Sequence, residues 1–254
     1  MFSDLQKQQL VKQFREDGFV VMKGFLNDAE LSEVREHLDK LISEKVPSMP
    51  PEKAFYEDHK DKTSLKQIQA LYDDDALFHS MMFESKFEEL ASILLEDAVI
   101  GKNMQYFNKP PKIGKPTPPH QDGYYFMLEP NEAVTMWLGL ENVDEENGCV
   151  RYIKGSNNKG MRQHTRTQTL GFSQGISDFG TDDDKANEVW FETNAGDLLV
   201  HHSMTIHRAD GNNSQDRSRK ALGFIYYAEK AKEDASAKKE YQEKLAKEIR
   251  EKVK

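Results

Sequence analysis

The sequence predicts a mainly β fold with flanking helices (α+β), of the sandwich or barrel kind. Three observations carry that expectation. From about residue 98, short β-leaning runs alternate with Pro, Gly and Asn turns: GKNMQYFNKPP, VTMWLGLENV, GCVRYIKGS, VWFETNAGDLLVHH and RKALGFIYYAE. Helical periodicity is concentrated in the stretch before them. No linker or internal repeat divides the 254 residues, a length that suits one domain with a sizeable core. The expected layout is one domain over 1–254, with N-terminal helices to about 97, a β core over about 98–228 and a polar helical tail over about 229–254.

The elements follow in order. Residues 4–17 place Leu5, Leu10, Val11 and Phe14 on one helical stripe, and Gly18 is a stop signal. FVVMKGF, β-branched and aromatic, reads as a strand. Asn27 offers an N-cap to DAELSEVREHLDKLISE, where Leu31, Val34, Leu38 and Leu41 recur at helical spacing. VPSMPPEKAFYEDHKDKTS has no period and reads as a loop. A further helical stretch covers about 76–95, with Phe78, Met81, Met82, Phe87 and Leu90 toward the core. Residues 171–188, GFSQGISDFGTDDDKANE, read as a long mobile insertion of the kind that forms lids. The lysine- and glutamate-rich end reads as a solvated helix.

Composition narrows the function. The 35 basic and 44 acidic side chains leave a formal charge of −9, which disfavours nucleic acid as a partner. The single cysteine, Cys149, excludes a disulfide framework within the chain. The start, MFSDLQKQQL, lacks the layout of a secretory signal, and no apolar run approaches the ~20 residues of a membrane helix. The expected setting is the cytoplasm, without a membrane partner; nothing in the chain speaks to oligomeric state.

The chemistry centres on PPHQDGYYFM. In a strand, residues i and i+2 share a face, so His120 and Asp122 could reach one ion together. A second histidine would complete a two-histidine, one-carboxylate facial triad with open positions, the hallmark of non-haem Fe(II) oxygenases. DLLVHHSMTIH offers His201, His202 and His207. In an unbroken strand His201 and His207 fall on one face, so alternation nominates either; a strand end or bulge near Met204 would change the count. A diacid cosubstrate held by the metal at one end needs a cation at the other, and QDRSRKALGF supplies Arg217 and Arg219.

Together these segments resemble the phytanoyl-CoA dioxygenase family of Fe(II)- and 2-oxoglutarate-dependent oxygenases. The resemblance runs from DGFVVMKGFL to RKALGFIYY and is most specific in NKPP…PPHQD, ENGCVRYIKGS, AGDLLVHHSMTIHR and SRKAL. It implies a double-stranded β-helix (a cupin-like jelly roll) and metal ligands at His120, Asp122 and His207. It implies Fe(II), 2-oxoglutarate and O2, with Arg219 as the 2-oxoglutarate clamp, one residue further from His207 than the family spacing, and Arg217 as the alternative. Lys66, Gln105, Gln121 and Trp137 match positions that line the cosubstrate site. Asp122 stands where related halogenases carry a small residue, which favours hydroxylation of a C–H bond with release of succinate and CO2.

For the substrate, Tyr124 and Tyr125 follow the motif directly, His164 matches a histidine near the family's active site, and Phe172 lies in the lid candidate. GSNNKG departs from the family's GSH, with Asn157 in place of histidine. A small polar or anionic metabolite is the expected substrate. Two other readings fit part of the pattern. A cupin-like metal enzyme independent of 2-oxoglutarate would need neither Arg219 nor Lys66. A non-catalytic metabolite-binding protein would be free to lose a ligand, and here the triad is complete.

Overall fold

The computed structural model describes residues 2–58, 60–169, 172–236, 238–240 and 243, without the side chains of 166–169 and 172–173. Helix α1 (Asp4–Asp17) starts at Ser3, which forms a capping box with Gln6. Gly18 ends it at φ 86°, where a Cβ would be strained and would meet Thr205 Oγ1 at 2.5 Å. Strand β1 (Phe19–Met22) follows, then α2 (Asp28–Glu44), capped by Asn27 with Glu30 reciprocating and burying Leu31, Val34, Leu38 and Leu41.

The segment read as a loop contains the edge strand β2 (Ala54–Tyr56) and leads into its neighbour β3 (Leu65–Ile68). The helical stretch over 76–95 is two helices, α3 (Ala76–Phe83) and α4 (Lys86–Leu95). Glu84 and Ser85 leave helical geometry between them, and the Ser85 hydroxyl caps the second helix by accepting from the Phe87 N–H.

The β region comprises β4 (Val99–Lys109), β5 (Thr117–His120), a one-turn helix α5 (Gly123–Phe126), β6 (Leu128–Glu129), β7 (Ala133–Gly139) and β8 (Val150–Ile153). It continues with β9 (His164–Thr169), β10 (Phe172–Ile176), α6 (Asp182–Asn187), β11 (Glu188–Trp190), β12 (Leu198–His202), β13 (His207–Ala209), β14 (Arg219–Ala228) and β15 (Lys232–Glu233). In the expected mobile insertion over 171–188 the described residues form regular elements: β10 pairs back on β9, and Thr181 caps α6. The expected helical tail falls mostly outside the described residues.

Two sheets face each other. The larger runs β1-β12-β7-β14-β4-β3-β2 and the smaller β11-β8-β13-β5. This is the jelly roll. Alternation sorts the large sheet's side chains. Val134, Met136, Leu138, Leu222, Phe224 and Tyr226 join the helices in one core, where Phe87 stacks on Phe224 at 4.2 Å. The alternate residues, Thr135, Trp137, Gly223 and Ile225, face the smaller sheet and line a cavity. Gly223 is needed there, since a Cβ would stand 2.7 Å from the Phe107 ring. Among the described residues, no helix is long and apolar enough to cross a membrane.

Candidate metal centre and anion pocket

Between the sheets lies a cavity of about 250 Å³. In the small sheet, β13 runs between β5 and β8, so His207 stands directly opposite both His120 and Tyr152. In the large sheet, His201 of β12 pairs with Thr135 of β7. These residues ring one end of the cavity. Asp122 enters from the turn after β5. It has helical geometry (φ −59°, ψ −34°) rather than the strand geometry that the i, i+2 argument assumed. The strand stops at His120, and the reversal into α5 swings the carboxylate under the imidazoles.

Two backbone carbonyls set the imidazoles. His120 Nδ1 lies 2.8 Å from Pro118 O, and His207 Nδ1 lies 3.1 Å from Thr205 O. A carbonyl can only accept, so each Nδ1 carries a proton, which leaves Nε2 as the atom whose lone pair a metal would use. Those two Nε2 atoms lie 3.4 and 3.7 Å from Asp122 Oδ1. Three acceptors converging on one point are mutually repulsive unless a cation sits among them. The donor atoms of His120, Asp122 and His207 all lie within 4.8 Å of one another, so this set could hold a metal ion.

The other carboxylate oxygen is already occupied. Asp122 Oδ2 accepts from Thr135 Oγ1 at 2.6 Å and from His201 Nε2 at 3.2 Å. The Tyr152 hydroxyl donates to His201 Nδ1 at 3.2 Å. Both nitrogens of His201 are therefore spent, which separates it from His207, a choice that strand alternation left open. The strand itself breaks over residues 203–206, so no single alternation spans the two histidines. His202 faces away, toward Glu132 and Phe14.

Electrostatics agree with a cation seat. Burial, then the neighbouring His201 and His120, push His207 well below the ordinary histidine range, so it is held neutral. Burial opposes ionisation of Asp122, but the imidazoles around it, by the positive charge any of them gains with a second proton and by the His201 hydrogen bond, hold it well below the usual carboxylate range.

The far end of the cavity is basic. Arg219 is 5 % exposed, and its guanidinium sits 5.1 Å over the Trp137 ring. Its Nε has no hydrogen-bond partner, and among the described residues no carboxylate pairs with it. Burial pushes this guanidinium down to about 10. An uncompensated buried cation facing a cavity fits a carboxylate that the protein does not itself supply. Arg217, the alternative, lies at the surface, paired with Asp144 at 2.8 Å and Glu146 at 2.5 Å.

Lys66 also lines the cavity, with Nζ 3.3 Å from the buried Glu57. Gln105 faces inward and accepts from Gln67 at 2.6 Å. Tyr125 lines the cavity and donates its hydroxyl to Gln174 O at 2.7 Å, tying β10 to the site.

Three expected site residues are directed elsewhere. Gln121, fully buried, donates to Gly160 O and Met204 O and accepts from the Arg162 N–H, so its side chain serves the backbone and does not line the cavity. His164 accepts from the Gln121 N–H and donates to Arg162 O, leaving neither nitrogen for a ligand. Tyr124 stacks on that ring at 4.3 Å instead of facing the cavity. The side chain of Phe172 lies outside the described residues.

Sequence reasoning missed Thr135, Tyr152, Glu57, Lys109 and the orienting role of His201. Thr135 was findable: in VTMWLGL it is the polar residue two before Trp137, on the same face. Tyr152 and Lys109 carried no local signal, because their neighbours come from distant strands.

Residues 14–221 match the phytanoyl-CoA dioxygenase (PhyH) family. "Phytanoyl-CoA dioxygenase domain-containing protein 1" of Bos taurus is 28 % identical, over 87 % of this chain and 89 % of that protein. "Phytanoyl-CoA dioxygenase" of Arabidopsis thaliana is 27 % identical, over 83 % and 85 %. Among solved structures, the epimerase SnoN in complex with Fe3+, α-ketoglutarate and nogalamycin RO superposes with a TM-score of 0.73. It is 20 % identical, covering 90 % of this chain and 86 % of that one.

Proposed function

The chain belongs to the phytanoyl-CoA dioxygenase family, and from that premise we propose that it is an Fe(II)- and 2-oxoglutarate-dependent dioxygenase that hydroxylates a C–H bond of a small molecule. The observation that carries this reading is the shared cavity. One end gathers three acceptors fit for a metal, and the other holds a buried guanidinium that no carboxylate among the described residues pairs with.

His120, Asp122 and His207 would hold the iron, Asp122 through Oδ1, since Oδ2 is bound by Thr135 and His201. Arg219 would take the far carboxylate of 2-oxoglutarate, with Trp137 packed beneath the guanidinium. Lys66 and Gln105 would line that cosubstrate. When bound, iron and 2-oxoglutarate supply oxygen activation: 2-oxoglutarate and O2 become succinate and CO2 as one oxygen atom enters the substrate C–H bond. The chain's own part is to orient and to exclude water. Thr135 and His201 fix the carboxylate, the two upstream carbonyls fix the ring tautomers, and Trp137, Phe107 and Ile225 keep the cavity walls apolar.

A polar substrate fits the remaining lining, where Lys115 and Arg208, paired with Glu57 and with Glu188 and Asp210, reach the cavity beside Tyr125. The test is anaerobic addition of Fe(II) and 2-oxoglutarate, which should give a weak visible charge-transfer band, followed by succinate release in air. Asp122→Ala should abolish both while its circular dichroism stays that of the wild type. Succinate release by that variant at the wild-type rate would overturn the assignment.

A further inference from the structure

Strands β4 and β14 place Lys109 directly opposite Arg219. Residues opposite each other on an antiparallel pair share a face, and like charges so placed repel. Both are buried, at 6 % and 5 % exposure, and both line the cavity. The Lys109 ammonium donates to Asp210 O at 2.6 Å and lies 3.5 Å from Ala209 O. Those carbonyls hold the head in place but bring no full charge. Among the described residues no carboxylate lies within ion-pair distance of Lys109, whereas nearby Lys66 is matched by Glu57 at 3.3 Å. Burial and the facing Arg219 push Lys109 well below the ordinary lysine range, so an anion placed beside both would favour its charged form.

Two adjacent buried cations without an acid are costly to fold and would not be kept for packing alone. The geometry points to Lys109 as a second cation of the carboxylate site: with Arg219 it grips the far carboxylate of a 2-oxo diacid from two sides, and so selects dicarboxylic over monocarboxylic 2-oxo acids. This rests on the reading of the cavity as a 2-oxoglutarate site. The bland alternative is that Lys109 only props β13 through the two carbonyls.

The test is anaerobic calorimetry on the full chain loaded with Fe(II), titrated with 2-oxoglutarate and with 2-oxobutanoate, which keeps the keto-acid head and lacks the far carboxylate. Lys109→Gln retains a donor for Asp210 O but loses the charge. It should weaken 2-oxoglutarate by about tenfold or more, the size of one charged hydrogen bond, and leave 2-oxobutanoate within about twofold. Equal loss of both acids, or no loss of either, overturns the proposal. If wild-type protein binds the two acids alike, the 2-oxoglutarate reading itself fails, a distinct outcome.

A second measurement needs no loss of charge. In protein labelled with 15N at lysine Nζ and loaded with diamagnetic Zn(II), the Lys109 resonance, assigned by its absence in Lys109→Arg, should shift with 2-oxoglutarate and not with 2-oxobutanoate. An unmoved resonance overturns the proposal even where Lys109→Gln does not fold.

Discussion

Replacing Arg219 with methionine should stabilise the ligand-free protein while destroying its affinity for 2-oxoglutarate. Burial lowers the guanidinium from its ordinary value to about 10, which at about 1.36 kcal/mol per pH unit is roughly 3 kcal/mol. A base whose pKa is lower folded than unfolded destabilises the fold wherever both states are charged. For Arg219 that is all pH below about 10, neutral pH included. Stacking on Trp137, 5.1 Å away, returns about 2 kcal/mol. The net cost of keeping arginine is then about 1 kcal/mol. Arg219→Met, with a flexible apolar side chain in that slot, should raise the ligand-free melting temperature by about 2–4 °C. Binding moves the other way. Removing one partner of a buried charge pair costs about 2–5 kcal/mol, roughly thirtyfold to several thousandfold in Kd. Thermal melts without ligand and anaerobic calorimetry with Fe(II) and 2-oxoglutarate read the two effects separately. Arg217→Ala, which removes a guanidinium already paired with Asp144 and Glu146, is the control and should leave binding within about twofold. A ligand-free melt several degrees lower, with 2-oxoglutarate affinity intact, would show that Arg219 is structural and refute the reasoning.

Tyr152→Phe removes the donor that sets the His201 tautomer; metal affinity, measured by competition with a chelating dye, should fall about tenfold to a hundredfold, and an unchanged value would mean that the Tyr152–His201–Asp122 chain orients nothing. Gln121→Ala strips partners from Gly160 O, Met204 O and the Arg162 N–H, so urea unfolding should show a loss of about 2–4 kcal/mol while the KM for 2-oxoglutarate holds; a KM effect without destabilisation would return Gln121 to the pocket. Glu132, held down at about 2 by His202, against burial, and by Arg15, contributes stability that is complete above its unfolded value of 4.5 and is lost as pH falls toward 2. Glu132→Gln should flatten that part of the stability–pH curve, and a variant as acid-sensitive as the wild type would exclude this pair as the cause.

Local signals were readable where one stretch of chain sufficed. Gly18 and Asn27 terminate and start helices by their own backbone and side chain, and Leu31, Val34, Leu38 and Leu41 point one way at any tertiary context. Whatever depends on a partner was not. β2 and β3 are three and four residues long and become strands only by pairing, β3 onto β4 and β2 onto β3. The 76–95 stretch kept an apolar texture across Glu84 and Ser85, which hid the break. At the site, residue types and their order marked His120, Asp122 and the downstream histidines, but alternation presumed unbroken strands. The strand end named near Met204 is there, over 203–206, but strand periodicity itself marks neither that break nor the turn at Asp122, since both fall where the chain leaves a sheet. Lys109, at the end of the β-leaning run GKNMQYFNKPP, shows no sign of its neighbour until Arg219 arrives opposite it from a strand far along the chain.

The break over 203–206 carries a further consequence. β12 lies in one sheet and β13 in the other, so the chain changes sheets within a few residues, and His201 and His207 meet from opposite walls with ring centroids 4.1 Å apart. Asp122 bridges the same gap, bonded to Thr135 and His201 on one side and facing His120 and His207 on the other. An ion seated among them would act as a rivet through two overlapping plates. Occupancy would then be a mechanical property of the whole β core: metal starvation should loosen the seam between the plates, and protease resistance, not only turnover, should report how well the rivet is set.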